Sequence, residues 1–389
     1  MKDEKKVPKL RFKGFTDDWE QRKLGEITDV RDGTHASPHY VNSGFPLLTS
    51  KNISNGCINY NEVNYISEYD FHQINERSKV DVNDILMGMI GTIGNLALVQ
   101  EKTNFAIKNV ALIKNTGSID HRFLFQDLQT DYIERELSNN MDGGTQKFIS
   151  LKKIRNLSIT FPTLLNEQDK IGNLFHFLDS TITLHEEKKH QLESLKSALL
   201  QKMFANKNGY PAVRFEGFSN EWEHCKLGDV ADITTGSRNH QDSVTDGKYP
   251  FFVRSDKVER LNEYDFDTKA ILVPGDGRIG EIFHYYNGKF ALHQRVYKVD
   301  NFNGINELFL LGLFKYSFKE HALRLNAQGT VPSLRLPMFT NWSISVPMIT
   351  EQKRIGVFFQ KLEQTISLYD HKLELLKKVK RSMLQAMFI

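Results

Sequence analysis

A chain of 389 residues is too long for one ordinary compact domain and long enough for two, each able to bury a core of its own. Its 40% hydrophobic and 25% charged residues exclude wholesale disorder, and its net charge of +3 is compatible with nucleic-acid binding without demanding it. No run approaches the roughly 20 apolar residues of a membrane span, and no apolar stretch follows the basic start MKDEKKVPKL, so a cytoplasmic protein is expected.

In chain order, the first feature is a block that occurs twice. PKLRFKGFTDDWEQRKLGEI, beginning at Pro8, returns without a gap as PAVRFEGFSNEWEHCKLGDV, beginning at Pro211. Arg11, Phe12, Gly14, Phe15, Trp19 and Leu24 thereby find Arg214, Phe215, Gly217, Phe218, Trp222 and Leu227. The regions that follow, 20–165 and 223–349, are rich in Gly, Asn, aromatic and β-branched residues in short runs. They read as twisted sheet with some helix, such as Arg122 to Leu137 and Asn306 to Arg324. A skeleton persists between them: FPLLTSKNI answers YPFFVRSDKV, DILMGMIGTIGN answers AILVPGDGRIGE, and FAIKNVALIKN answers FALHQRVYKVD.

A second repeated block begins as GGTQKFISLKKIRNLSITFP at Gly143 and as QGTVPSLRLPMFTNWSISVP at Gln328. It continues as NEQDKIGNLFHFLDSTITL against TEQKRIGVFFQKLEQTISL, and the copies end alike at QKMFA and QAMFI. Both continuations are helical in period. In the first, Ile171, Leu178, His185, Leu192 and Leu199 fall at steps of seven, interleaved with Phe175, Ile182, Lys189, Lys196 and Met203. In the second, Ile355, Leu362, Tyr369, Leu376 and Met383 do the same, interleaved with Phe359, Ile366, Leu373, Lys380 and Met387.

Apolar residues alternating at four and three over about five heptads mark a coiled-coil seam on helices of roughly 50 Å, although His185 and Lys189 interrupt the first. Two independent amphipathic helices are the alternative. The fold expected is α+β. Two similar α/β domains, related by a pseudo-twofold, would be separated by two long antiparallel coiled-coil helices, with boundaries at 1–165, 166–205, 206–350 and 351–389. Two copies of one framework with different content imply one job done on two different objects.

Signals for catalysis are weak. Gly275, Gly277 and Gly280 form G-x-G-x-x-G after the strand-like AILVP, but no helix-forming run follows, and the first half has Met89, Gly91 and Gly94 there. A tight β-connection is the better reading. His35 and His293 lack a nucleophile or paired carboxylates at an interpretable spacing. No G-x-x-x-x-G-K-[ST], no H-E-x-x-H and no Asn-Pro-Pro-aromatic tetrad occurs. Cys57 and Cys225, far apart and without metal-like pairing, suggest neither a disulfide framework nor a zinc site and are expected as buried free thiols; no metal site and no directly bound cofactor is expected.

Across essentially its whole length the chain resembles the specificity subunits of type I restriction-modification enzymes. The resemblance is carried by the duplicated P-x-x-R-F-x-G-F…W block and by the G-T-Q-x-x-[IL] loop at Gly144 to Ile149. It is also carried by the Pro followed by an E-Q-x-[KR]-I-G helix start, at Pro162 to Gly172 and Pro347 to Gly356. It implies two target recognition domains, each reading one half of a split, asymmetric double-stranded DNA sequence in the major groove, with the helices as spacer and docking site. It implies two methyltransferase subunits bringing S-adenosylmethionine, restriction subunits bringing ATP and Mg, and no catalysis by the chain itself. A stand-alone DNA-binding regulator, or a fused enzyme that methylates or cuts by itself, are the rival readings.

Direct readout relies on Arg, Lys, Asn and Gln meeting base edges, and such residues crowd the segments that differ between the copies. The candidate DNA contacts of the first half are Arg31, Thr34, His35, Lys51, Asn52, Thr92, Lys108, Gln146 and Lys147. Those of the second are Arg238, Asn239, His240, Arg254, Lys257, Arg278, His293, Gln294, Arg295 and Gln328.

Overall fold

The computed structural model describes residues 7–54, 56–145, 147–205, 209–326 and 332–389. Two helices of 39 residues each, Leu165–Met203 and Ile349–Met387, are the longest elements, each about 58 Å at 1.5 Å per residue. The chain divides into two compact units, residues 1–185 with 372–389, and residues 186–371. Each long helix therefore gives one end to each unit. Among the described residues no helix is long and apolar enough to cross a membrane.

The heptad pattern is visible in burial. Along the first helix Ile171, Phe175, Ile182 and Met203 are buried and Leu178, Leu192 and Leu199 half-buried, whereas Phe177, Leu184 and Leu195 are exposed. Lys189, which interrupts the seam, and Lys196 are both met by carboxylates. Within the second unit Lys189 reaches Asp370 at 2.6 Å and Lys196 reaches Glu363 at 2.7 Å. A step of seven forward on one helix is a step of seven back on the other, which is antiparallel packing in heptad register. Within the first unit Lys380 meets Asp179 at 2.7 Å in the same sense.

The repeated blocks turn out to be partners. Arg11 donates to both oxygens of Glu167 at 2.6 and 2.8 Å, and Arg214 to both of Glu351 at 2.7 and 2.7 Å, each glutamate being fully buried. The next residue closes a second link. Gln168 donates to the Pro162 carbonyl and accepts from the Asp120 amide, as Gln352 does with Pro347 and Asn306. Asp120 and Asn306 in turn cap the helices His121–Asp127 and Glu307–Leu313. The glycine of the motif lies against those caps: a Cβ at Gly172 would sit 2.7 Å from Asp120, and one at Gly356 2.8 Å from Asn306. Lys170 over Phe15 and Arg354 over Phe218, at 4.9 and 5.3 Å, complete the set. The E-Q-x-[KR]-I-G helix start is thus a connector that fastens one long helix to its unit.

The far ends are fastened alike. Phe388 packs on Trp19, Phe123 and Phe175 in the first unit, and Phe204 on Phe309 and Phe359 in the second. Leu10 donates its amide to the Ala386 carbonyl and Val213 to that of Lys202, both at 2.8 Å.

Each unit carries a twisted, mostly antiparallel sheet. In the second unit one six-stranded sheet has the order Asp232–Thr235, Val296–Asp300, Phe266–Pro274, His284–Leu292, Tyr249–Phe252, Val258–Leu261. In the first unit the equivalents fall into two four-stranded sheets, because the run matching His284–Leu292 is broken into Leu96–Leu98 and Ala106–Ile107. One parallel pairing recurs, Phe45–Leu48 with Ala106–Ile107 and Tyr249–Phe252 with His284–Leu292. The helix expected at Arg122 to Leu137 is two, His121–Asp127 and Asp131–Asn139, because Thr130 stops the first and caps the second. The one expected at Asn306 to Arg324 is continuous but widens into a π-turn at Phe314–Phe318, which buries both phenylalanines and brings Lys315 to Glu363 at 2.5 Å. Cys225 is half-buried, whereas Cys57 is exposed, correcting the expectation of a buried thiol there: it lies on the short outer hairpin strand Cys57–Ile58.

Candidate nucleic-acid interface

The candidate residues come from widely separated segments, and in each unit hydrogen bonds tie those segments into one rim. In the first unit Thr34 bridges to Lys108, and Asn109 returns its amide to the Thr34 carbonyl at 3.2 Å. Ser50 is the hub: its hydroxyl donates to the Asn109 carbonyl at 2.9 Å and accepts from the Met89 amide at 3.1 Å. Thr92 donates to the Ser50 carbonyl at 2.6 Å, and Ile90 bridges to Phe148, next to Lys147. The second unit repeats the scheme: Arg238 bridges to His293, His293 donates its amide to the Phe252 carbonyl at 3.0 Å, and Asp276 bridges to Ser333.

The glycine turns have one geometry. Gly91 and Gly94 have φ of +77° and +81°, Gly277 and Gly280 of +76° and +67°, values at which a side chain is strained. Each turn joins antiparallel strands, Ile85–Gly88 to Leu96–Leu98 and Phe266–Pro274 to His284–Leu292, so G-x-G-x-x-G is a strand connection here.

On the first rim Lys51 and Lys147 are exposed, and Lys108 extends toward Ser37 and Tyr40 at 3.3 and 3.5 Å. Arg31 is held by Asp29 at 2.7 Å. His35 is exposed with both ring nitrogens facing oxygen acceptors, Asn109 at 2.7 Å and the buried Asp32 at 2.8 Å. A neutral imidazole can donate only once, so this setting favours the imidazolium, and the Asp32 hydrogen bond raises the His35 pKa above its ordinary value. Arg77 pairs with the other Asp32 oxygen, and these bonds to His35 and Arg77 hold that carboxyl below the usual range despite burial.

On the second rim Arg238 is clamped between Asp265 and Glu263, both at 2.9 Å. Asn239 accepts from Gln294 at 2.6 Å, and His240 faces Glu259 at 3.2 Å. Arg254, Lys257, Arg278 and Arg295 are exposed.

Two candidates are not on the rim surface. Asn52 is buried, its amide divided between the Thr49 amide and the carbonyls of Asn59 and Asn61, so it braces a turn. His293 is buried at the end of the parallel strand pair, accepts from the Arg295 amide at 2.9 Å, and has its pKa lowered chiefly by desolvation. Gln146 and Gln328 lie outside the described residues. Passed over by the sequence reading were Tyr40 and Asn109, which flank Lys108 and His35, and the acids Asp256 and Asp276. A signal existed only for Asp276, in the Gly-Asp-Gly-Arg turn. Among the described residues no cluster of three or more His, Cys, Asp or Glu could hold a metal ion.

Comparison with known proteins gives one family. A model described as "Type I restriction modification DNA specificity domain" matches residues 16–194 and 219–378. The chain is 28% identical over 169 residues to the Type I restriction enzyme EcoDI specificity subunit of Escherichia coli, covering 42% of this chain and 37% of that protein. It is 26% identical over 199 residues to the Type I restriction enzyme MjaVIII specificity subunit of Methanocaldococcus jannaschii, covering 49% and 46%. The aligned segments thus span less than half the length of either relative. Among solved structures, the type I restriction-modification S subunit from M. genitalium superposes with a TM-score of 0.74 over 98% of this chain and 99% of that one, at 17% identity, a likeness of fold.

Proposed function

We propose the following for this chain, which belongs to the type I restriction modification DNA specificity family: it reads a bipartite, asymmetric double-stranded DNA target and catalyses nothing by itself. Residues 1–165 and 206–350 are the recognition domains, each reading one half-site in the major groove. The helical segments 166–205 and 351–389 carry the docking faces for two methyltransferase subunits, and restriction subunits join that complex. S-adenosylmethionine, ATP and Mg act in those partners.

One observation carries the reading: two rims share their strand bridges and glycine turns and differ in the side chains they present. Such a pair suits a protein that recognises two different objects of the same kind. Lysines and arginines on both rims suit phosphates and base edges. Phe177, Leu184 and Leu368, exposed by 70%, 63% and 69%, break the polar outer faces of the long helices and suit burial against partner subunits.

Co-expression of the full chain with its cognate modification subunit tests this. The expected result is co-purification, with adenine methylation at one bipartite sequence in the host methylome, and Phe177→Glu with Leu184→Glu weakening co-purification while duplex binding persists. Sequence-specific binding without co-purification would make the chain a stand-alone regulator. Methyl transfer by the lone chain supplied with DNA and S-adenosylmethionine would make it an enzyme.

A further inference from the structure

The second rim carries two arginines in an arrangement the first lacks. Arg254 follows the strand Tyr249–Phe252, and Arg278 stands between Gly277 and Gly280. Their partners are crossed. Arg254 Nη1 lies 3.3 Å from Asp276, two residues before Arg278, while Arg278 Nη1 lies 3.9 Å from Asp256, two residues after Arg254. Arg278 Nε also donates to Glu281 at 2.9 Å. The side chains remain 54% and 65% exposed, so each guanidinium is oriented by a carboxylate and keeps most of its five donors for a ligand.

The mounts are firm. His284 Nε2 meets the Ser255 carbonyl at 3.1 Å, and Gly275 donates to the Arg295 carbonyl at 2.7 Å and accepts from the Leu334 amide at 2.6 Å. A Cβ at Gly280 would stand 2.6 Å from Lys319 Cα, so the turn sits directly on the helix Lys319–Arg324. In the first unit the equivalent positions are Ser50 and Thr92, which bond to each other and offer no guanidinium.

We propose that Arg254 and Arg278 are specificity-determining residues, each reading a guanine in the half-site bound by the second unit, and that the first unit reads no guanine from the equivalent positions. This rests on the DNA-reading function proposed above. An arginine presents two parallel donors that match guanine O6 and N7, the commonest specific contact to a base edge. Three carboxylates beside the pair, Asp256, Asp276 and Glu281, lower the local positive potential and disfavour a phosphate there, whereas a base edge tolerates them. Lys257 and Arg295, on the same rim, have no carboxylate partner among the described residues and suit the phosphates.

The test is enrichment of randomised double-stranded DNA by the full chain, read by sequencing, for the wild type, Arg254→Lys, Arg278→Lys and the two alanine variants. The wild type should enrich a bipartite motif with guanines at two positions of one half. Each variant should lose preference at one of those positions by roughly tenfold or more and leave the other half unchanged. Lysine keeps the charge and loses the fork, so loss with lysine as with alanine identifies a base contact. In the wild-type motif, 7-deazaguanine at either position removes the N7 acceptor and should weaken binding similarly. A wild-type motif that the alanine variants leave intact, or binding weakened equally on all sequences, overturns the proposal while the DNA-reading function stands. Failure of the wild type to enrich any sequence removes both.

Discussion

Where the second unit presents Arg278, the first presents Thr92, yet the glycines around both have the same positive φ and both turns are pinned by the same strand bridge. The bidentate Arg–Glu pairs, the Gln links and the glycine contacts are likewise identical in kind in the two units. On the rims they differ in side chains that no fold contact requires, such as Lys51 and Lys257, and beyond the rims in how the sheet is divided, six strands in one sheet in the second unit against two sheets of four in the first. A scaffold fixed by backbone bonds and buried pairs leaves its rim free to change, so recognition can diverge without cost to folding.

The largest effect should come from breaking what the units share. Arg214→Ala leaves the Glu351 carboxylate fully buried and unpaired, as Arg11→Ala does to Glu167, and such losses cost about 3–5 kcal/mol. Denaturant unfolding followed by two probes, Trp19 and Trp222, should show each variant destabilising chiefly the unit that holds it, by similar amounts. Unequal effects beyond a factor of two would mean that the repeated lock is not energetically repeated.

That lock was half legible in sequence. Its residues appeared as the repeated blocks, and the heptads gave the seam, because both are patterns of identity and period. What the blocks do to each other was not legible, since Arg11 and Glu167 meet only after the intervening sheet has folded. The rims were legible as segments and poorly as side chains. Asn52 and His293 have the right chemistry for DNA and lie buried, the one bracing a turn and the other at the end of a parallel strand pair. Arg238 finds its carboxylates on another loop. A gapless comparison pairs His35 with Arg238, whereas the bonds pair it with Asn239: His35 meets the Asn109 side chain as Asn239 meets that of Gln294. One inserted residue, invisible without coordinates, shifts the match.

Next in size are changes that make one unit resemble the other. Asp127 occupies the place that Leu313 fills in the second unit, seven residues after the helix cap in each case. It is buried, one carboxyl oxygen has no hydrogen-bond partner among the described residues, and burial, aided by Glu136, holds its pKa well above the usual carboxyl range. Asp127→Leu should therefore stabilise the first unit by about 1–3 kcal/mol. The sign with pH follows. Folded Asp127 stays protonated while the unfolded group ionises near pH 3.9, so the wild type loses stability as pH rises from there through the folded pKa. The advantage of the leucine variant should grow over that window, and equal stabilities at pH 7 would count against a neutral buried acid. Gly172→Ala and Gly356→Ala, which press a methyl onto the caps, should cost about 1–3 kcal/mol each in their own units.

The smallest effect separates the rims by charge. His35 is flanked by Asp32, Arg77 and Asn109, and the hydrogen bond to Asp32 raises its pKa, so the imidazolium is present at low pH and lost as pH rises through that raised value. The equivalent of His35 on the second rim, Asn239, does not titrate. A cation on a DNA-reading surface contributes about one to the slope of log affinity against log salt. The full chain on a duplex carrying its target should therefore lose about one from that slope as pH rises through the raised His35 pKa. His35→Gln should show the lower slope throughout and, as a neutral hydrogen-bonding replacement, keep the motif read by the second unit. If the glutamine variant retained the full pH dependence, the titrating charge would lie elsewhere than at His35. A wild-type slope indifferent to pH would place His35 outside the contact, leaving it the task of holding Asn109 and Asp32 in position on the first rim.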